Sequence, residues 1–311
     1  MTIGNTEVLK KIEMLSDELE NGGLMPPKVA KKFIISAVES APLLKMMRTV
    51  MMKEPEQKFP KMTIEGRVAH AAVESETPPS ANFVKPTTDE VNITTKELVS
   101  IVPLSDTVME DNVEGKALWK TIEVYMRKKI ASDVQENFTE GDITSADPDL
   151  ALFDGLQALV TSNVVDGLGA AWSADLAVDG MNAIPEAYWE QEESMLRWLG
   201  APKTERLYRL ALTPRESALG DLLLNQKSGS SPLGIPMVNI PRWPTNLTPG
   251  NYSTEILMNP KQFLGGWHRN IRIEFERKAT ARKTYMVISM RVGCALEEEL
   301  AAAKVENVLV A

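Results

Sequence analysis

The sequence predicts an α+β protein in which strands gather around one long helix, and three observations predict it. From about Phe59 the apolar pattern takes a two-residue period, passes through a turn-rich stretch, and resumes with the same period near Val91. A single amphipathic helix then runs from about Asp111 to Phe138. The last hundred residues hold two clean alternating runs, one carrying Ile271, Ile273 and Phe275 and the other Met286, Ile288, Met290 and Val292. Segments in this order describe a β-arm mounted on a helical spine rather than a pocket-bearing catalytic core.

Composition sets the outer limits. The chain has 311 residues, 43% of them apolar, which is ample for one large or two smaller cores. No run of eighteen or more apolar residues occurs, so no helical membrane span is expected. The start, Met1-Thr2-Ile3-Gly4-Asn5, lacks the basic-then-apolar grammar of a secretory signal. Cys294 is the single cysteine, which excludes an internal disulfide and fits a reducing cytoplasm. The net charge of −9 is segregated: +1 over residues 1–60, −5 over 61–141, −10 over 142–200 and +5 over 201–311. A subunit that meets copies of itself can use such segregation for docking, because complementary potentials select register. So acidic a chain lacks the basic face that sequence-specific DNA binding requires.

Taken in order, residues 1–57 read as an arm. Val8, Ile12, Leu15 and Leu19 form a thin helical stripe that ends at Asn21-Gly22-Gly23. Pro26-Pro27 opens a second helical stretch, and after Pro42 a third runs from Leu43 to Met52 with four methionines. Methionine suits an adaptable interface and serves equally as core filler. In the first strand Met62, Ile64, Gly66 and Val68 share one face; in the second, Val91, Ile93 and Thr95 do. Between them Glu74 to Asn82 is too polar and turn-rich to build a core, so the hairpin projects. Two-stranded ribbons are marginal in water and need a surface to lie on.

The long helix starts near Asp111, with Asp111 or Asn112 as cap and Glu114 favouring the positive end of the dipole. Leu118, Ile122, Met126, Ile130, Val134 and Phe138 follow at steps of four, Trp119 and Tyr125 widen the stripe, and Gly141 ends it. Its span is on the order of 40 Å at roughly 1.5 Å per residue. A short helix is expected from Asp147 to Val160, a loop over 163–183, and a helix from Ile184 through Leu199. Thr213-Pro214-Arg215-Glu216 is a capping box opening another helix. The connection between the two last alternating runs is basic, with Arg277, Lys278, Arg282 and Lys283.

Reactive chemistry is thin. His70 and His268 are the only histidines and lie far apart in sequence. Cys294 has no cationic neighbour in sequence to favour a thiolate. No phosphate-binding loop or dinucleotide fingerprint occurs, since Gly167-Leu168-Gly169 lacks a third glycine and its strand context. No histidine and cysteine ligands stand at metal spacing, and no cofactor is implied. Eleven acids between 142 and 200 leave a carboxylate hydrolase open, but nothing selects a pair among them.

Several short motifs carry a resemblance. They are the stretch from Gly141-Asp142 to Asp154-Gly155-Leu156 after the helix, Gly234-Ile235-Pro236-Met237-Val238, Leu257-Met258-Asn259-Pro260-Lys261-Gln262-Phe263-Leu264-Gly265-Gly266, Arg269 to Arg277, and Met290 to Leu296. In this order, over residues 55–311, the chain resembles the major capsid proteins of tailed phages, the shell-subunit fold named after the Hong Kong ninety-seven phage. The resemblance implies a capsid-type fold: an N-terminal arm (1–57), an extended loop (58–104), the spine helix and start of a peripheral domain (105–160), an axial domain (161–257), and return strands of the peripheral domain (258–311).

It also implies function. The hairpin would lie on a neighbouring subunit, which makes Glu74, Glu76, Phe83 and Lys85 its assembly contacts. The partners implied are copies of the chain in hexamers and pentamers, a separate scaffolding protein, a portal protein, and packaged double-stranded DNA held without sequence specificity. No membrane and no enzymatic role are implied, and assembly would take place in the cytoplasm of a bacterial host. An encapsulin-type compartment is the alternative on the same fold.

Overall fold

The computed structural model describes residues 41–64, 67–71, 83, 85–111, 118–189, 195–212, 230–247, 250–269 and 271–310. The first two expected helices and the capping box at Thr213 lie outside the described residues. In chain order the elements are α1 (Pro42–Met46), β1 (Arg48–Met51), β2 (Glu56–Thr63), β3 (Thr87–Thr94), β4 (Lys96–Ser105), α2 (Asp106–Asp111), α3 (Leu118–Glu140), α4 (Leu156–Leu159), β5 (Val164–Asp166), α5 (Ala174–Ala183), β6 (Arg197–Gly200), α6 (Pro202–Leu212), β7 (Met237–Asn239), β8 (Tyr252–Met258), β9 (Phe263–Trp267), β10 (Arg272–Lys278), β11 (Lys283–Leu296) and β12 (Ala303–Leu309).

Two five-stranded sheets and one hairpin carry the architecture. In the first sheet β11 is the axis: β4 pairs antiparallel with it over Lys283–Val292, and β10 and β9 pair antiparallel with it in turn. Strand β1 adds to β9 in parallel. The run Leu43–Met52, expected as helix, therefore divides: only Pro42–Met46 is helical, and Arg48–Met51 is a strand. Met47 and Met52 are buried core filler there. Lys96–Ser105, within the stretch the sequence division assigns to the loop, joins this sheet.

Helix α3 lies against the first sheet, and its burial grows along its length. Leu118, Ile122 and Met126 are half-buried, whereas Ile130, Val134 and Phe138 are buried. Trp119 meets Phe275 edge to face at 4.9 Å, and Phe138 meets Phe153 at 5.6 Å and Phe263 at 6.0 Å. The stripe is narrower than expected, since Tyr125 is 69% exposed. Asp111 is the last described residue of the short helix α2. Asn112 and Glu114 lie outside the described residues.

The helix expected over Asp147–Val160 is only the turn Leu156–Leu159, because Gly155 is extended immediately before it. Phe153 and Leu156 still bury, as their spacing suggests. Gly141 ends α3 through its amide bond to the Asn137 carbonyl at 2.9 Å, and its own carbonyl accepts from the Gly155 amide at 2.7 Å. β-Carbons at these two glycines would overlap the carbonyl oxygens of Asn137, Phe138 and Phe153, so the close approach of the two segments requires glycine.

The second sheet has the order β5-β12-β8-β6-β7. Residues 163–183, expected as loop, supply β5 and α5. Ser173 caps α5 by accepting from the Leu176 amide at 3.3 Å. The expected helix through Leu199 ends as strand β6, which is central in its sheet. Trp198 faces one apolar cluster and Leu199 the other, so both faces are buried and the alternation that marks a half-exposed strand is missing. The larger cluster draws on α3, the first sheet and one face of the second, welding them together. The smaller packs α5, α6 and Trp172 on the other face, with Trp172 and Trp198 rings 4.8 Å apart.

Candidate assembly surfaces

The hairpin of β2 and β3 has one face committed to its own chain and one face free. Its register pairs Phe59 with Val91 and Gln57 with Ile93. Ile93 is fully buried with Met52, Leu264 and Ala295, and Phe59 and Val91 pack beside them. Burying such a side chain is worth about 1.5–3 kcal/mol, so the base is fixed. An ion pair between Lys61 and Glu298, both about four-fifths buried, fastens the strand further out. Beyond this point the apolar residues turn outward: Met62 is 68% exposed, Ile64 55%, Val68 63% and Phe83 59%. The sequence places Met62, Ile64 and Val68 on one face; the described pairing of β2 stops at Thr63, so of these the ribbon itself carries Met62.

Of the four contacts nominated from sequence, Phe83 and Lys85 are exposed, and among the described residues no hydrogen bond or ion pair holds Lys85. Glu74 and Glu76 lie outside the described residues, so the structure does not bring the four together. Sequence reading missed a second surface. Strand β4 is an edge of the first sheet, and among the described residues no strand pairs with its other side. Leu98 and Val102 pack inward, while Val99 and Ile101 are 56% and 57% exposed. The period-two pattern of Lys96–Ser105 was the signal that could have found it. A long exposed edge with apolar side chains is a template for association.

Electrostatics sort the remaining surface. The turn between β10 and β11 is exposed from Arg277 to Lys283; Arg277 pairs with Asp106 at 3.2 Å, and Arg282 takes a left-handed backbone. A cleft of about 410 Å³ opens between α3, β4 and the 147–150 turn. Its rim carboxylates are partly spoken for: Arg242 pairs with Asp133 at 2.7 Å and with Glu136, and Lys129 pairs with Asp133 at 2.9 Å. One turn on from Glu136, burial and that neighbouring carboxylate hold Glu140 up at about 7, with Arg242 acting against them. The Cys294 thiol is buried, donates to the Asp154 carbonyl at 3.2 Å and is pushed far above its usual range, which makes it inert. His70 is exposed, and His268 follows β9 with its amide donating to the Arg291 carbonyl at 3.0 Å. Among the described residues no three His, Cys, Asp or Glu side chains are placed to hold a metal ion.

Anchored ribbon, free apolar face and open sheet edge are what a self-associating subunit presents, and comparison with known proteins gives the same answer. The model of the phage capsid family matches residues 21–307. The chain belongs to the phage capsid family. A Bacillus subtilis (strain 168) relative that carries the name prophage capsid protein YqbE is 31% identical over 313 aligned residues, covering 98% of this chain and 99% of its own.

Solved structures share the fold at low identity. The satellite phage P4 procapsid, solved with its size determination (Sid) protein, matches with a TM-score of 0.68 at 14% identity, over 98% of both chains. The capsid of an empty GTA particle matches at 0.58 and 16%, over 86% of this chain and 90% of its own. The SrpI encapsulin of Synechococcus elongatus PCC 7942 matches at 0.55 and 13%, over 86% and 87%. This phage capsid family member is therefore a structural subunit of a capsid shell, with the α+β capsid-type fold that the sequence predicts and a place in the virion capsid. Assembly into an oligomeric shell follows from that membership.

Proposed function

We propose that this capsid subunit builds an icosahedral shell from hexamers and pentamers around double-stranded DNA, by laying the outer part of its β2–β3 hairpin on a neighbouring copy. The observation that carries this reading is the exposed apolar side chains of Met62, Ile64, Val68 and Phe83 at and beyond the outer end of a ribbon whose base is locked to its own body. A lone ribbon gains nothing by exposing four large apolar side chains, and a neighbour's surface gives them cover. Glu74, Glu76, Phe83 and Lys85 are the contacts proposed at its far end. The division into arm (1–57), extended loop (58–104), spine region (105–160), axial domain (161–257) and return strands (258–311) belongs to the same proposal. So do a separate scaffolding protein, a portal, a purely structural role without catalysis, and assembly in the cytoplasm of a bacterial host.

Many weak contacts, repeated around closed symmetry, yield a strong shell without one irreversible encounter. Replacing Glu74–Asn82 by a short glycine-serine turn tests the idea. The melting curve by circular dichroism should stay unchanged, because the deleted residues are polar and the buried hairpin base is kept. Electron microscopy should then show no shells. Normal shells from the shortened chain would make the hairpin an ordinary surface loop. The encapsulin match gives a second reading, a cargo compartment, and the prophage name of the relative with 31% identity favours the virion. Nuclease-protected DNA inside particles recovered from host cells supports the virion; a protein cargo in its place supports the compartment.

A further inference from the structure

Three consecutive glutamates, Glu297 to Glu299, follow β11, and each carboxylate is held by a different part of the chain. Glu297 pairs with Arg48 of β1 at 3.3 Å. Glu298 pairs with Lys61 of the hairpin. One Glu299 oxygen accepts from the amides and hydroxyls of Thr161 and Ser162, which lead into the second sheet. Arg48 is about half exposed, and a pair so open to water contributes little. Lys61 and Glu298 are each about four-fifths buried, so their attraction is screened far less. Among the described residues theirs is the one ion pair that joins the hairpin to the body, since Lys58 and Glu90 pair within the ribbon.

The geometry of the ribbon gives that pair leverage. Gln57, Phe59 and Lys61 stand opposite Ile93, Val91 and Asp89, so all six share one face of the ribbon. In β2 this is the face turned to the body: Gln57, Phe59 and Lys61 are half-buried, whereas Glu56, Lys58, Pro60 and Met62 between them are exposed. The ribbon leaves the body at Pro55, whose carbonyl accepts from the Thr95 amide at 2.9 Å and the Thr95 hydroxyl at 2.8 Å. The apolar seat formed by Ile93, Phe59 and Val91 falls within about 14 Å of that point at roughly 3.4 Å per residue, and Lys61 lies about 20 Å out. Apolar burial is non-directional and lets the ribbon roll or slide on its seat. A charge-assisted hydrogen bond is directional and holds it at one angle. Asp89, directly across the ribbon from Lys61, is exposed and forms no ion pair among the described residues, yet Lys61 reaches the body instead.

We propose that Lys61 and Glu298 are the positioning pair of the hairpin: by stopping the ribbon at one angle to the body, they fix the tilt between neighbouring copies and with it the curvature at which the shell closes. The inference rests on the reading that the outer hairpin lies on a neighbour, and it adds what sets the hairpin's direction. A ribbon held by its apolar seat alone still reaches a neighbour, but over a spread of angles. Closed symmetry demands the same rotation at equivalent contacts, so such a spread yields particles of several sizes and open sheets. Glu297 and Glu299, tied to β1 and to the 161–162 segment, hold the acidic run in place on either side, which makes Glu298 a fixed stop.

The test compares particles formed by the full-length chain and its variants in electron micrographs. Lys61→Met and Glu298→Gln each break the pair, and Lys61→Arg keeps it. The unaltered chain and Lys61→Arg should give one diameter, and the two pair-breaking variants mixed diameters and open sheets. The double variant should be no worse than either single one, because a single interaction is lost only once. In the unassembled subunit, hydrogen exchange should show the β2 amides from Lys61 outward opening on the order of tenfold faster in both pair-breaking variants, with those at Gln57 and Ile93 unchanged. A merely structural pair would lower the melting temperature and leave the diameter alone. One diameter from pair-breaking variants that fold overturns the proposal, as do mixed diameters from Lys61→Arg or defects that add in the double variant. Failure of both pair-breaking variants to fold reduces the pair to structural support and overturns it too. None of these results touches the hairpin reading, which falls only if the chain shortened at Glu74–Asn82 builds normal shells.

Discussion

Glu255 is the residue whose surroundings are hardest to reconcile with its charge. It lies on central strand β8 with none of its surface exposed, and neither carboxyl oxygen reaches a partner in good hydrogen-bond geometry. Burial raises its pKa well above the usual carboxylate range; Thr204 and the Ala201 amide offset this only in part, and Glu205 adds to it. Glu205 goes the other way, because Asn239, the Ser230 amide and Arg209 outweigh its own burial and hold it ionised. Gly200 makes room for the neutral acid, as a β-carbon there would overlap the Glu255 carboxyl group. The native state therefore keeps a proton on Glu255 that the unfolded chain, with a carboxyl near about 4.3, releases. Stability from this group is full at low pH and is lost as pH rises toward the raised native value. Glu140 acts in the same sense over the window from about 4.3 to its native value of about 7. We expect the urea midpoint to fall between pH 5 and pH 8, and Glu255→Gln, which stays neutral, to fall less and to be the more stable chain at pH 8. A midpoint that falls equally in both chains would show Glu255 ionised in the fold. Sequence alone marks none of this, since an isolated Glu in an apolar run says nothing about which neighbours reach it.

At the scale of elements, legibility followed periodicity. Helix α3, β10 and the first half of β11 alternate between more and less buried positions, so their apolar spacing survives in the sequence, and the C-terminal end of α3 and the ends of both strands fall within a few residues of expectation. Strands β1, β5 and β6 did not show, because they are three or four residues long and exist through pairing with β9, β12 and β8 far along the chain. The turn after α3 was legible for a different reason. Its glycines sit where α3 and the 153–155 segment touch backbone to backbone, a contact that no side chain tolerates. Gly155→Ala should accordingly lower stability by about 3 kcal/mol, the upper end of overpacking costs, with β4 and β11 retained. Chemical denaturation measures the loss, and hydrogen exchange locates it at the α3 C-terminus. An unchanged midpoint would show that the two segments part without cost.

For the whole molecule, the candidate surfaces were only half legible, and the reason is where their signals live. An exposed apolar row at period two is a local pattern, so Met62, Ile64 and Val68 could be grouped from sequence. The edges of the second sheet are a product of strand order, which depends on contacts between residues 164–166 and 304–306 that no local pattern announces. Charge segregation was visible as a drop to −10 over 142–200 and a rise to +5 over 201–311. The fold brings the two signs near one another, with α5 and its acids beside β5 and β12 and Lys203 of α6 donating to the Val310 carbonyl at the end of β12. Exposed charges farther apart than the Debye length, about 8 Å at physiological salt, are screened, while apolar contacts such as those of the hairpin are not. Raising salt from about 30-Å to 3-Å screening should therefore slow the first association steps while leaving finished shells intact, since steering acts on encounter and burial holds the product. Light scattering across a salt series reads the first effect, and dilution of finished shells into high salt reads the second. Assembly rates that stay flat across the series would reduce the charges to solvated faces, and shells that dissolve on dilution would mean that ion pairs rather than apolar burial hold the copies together.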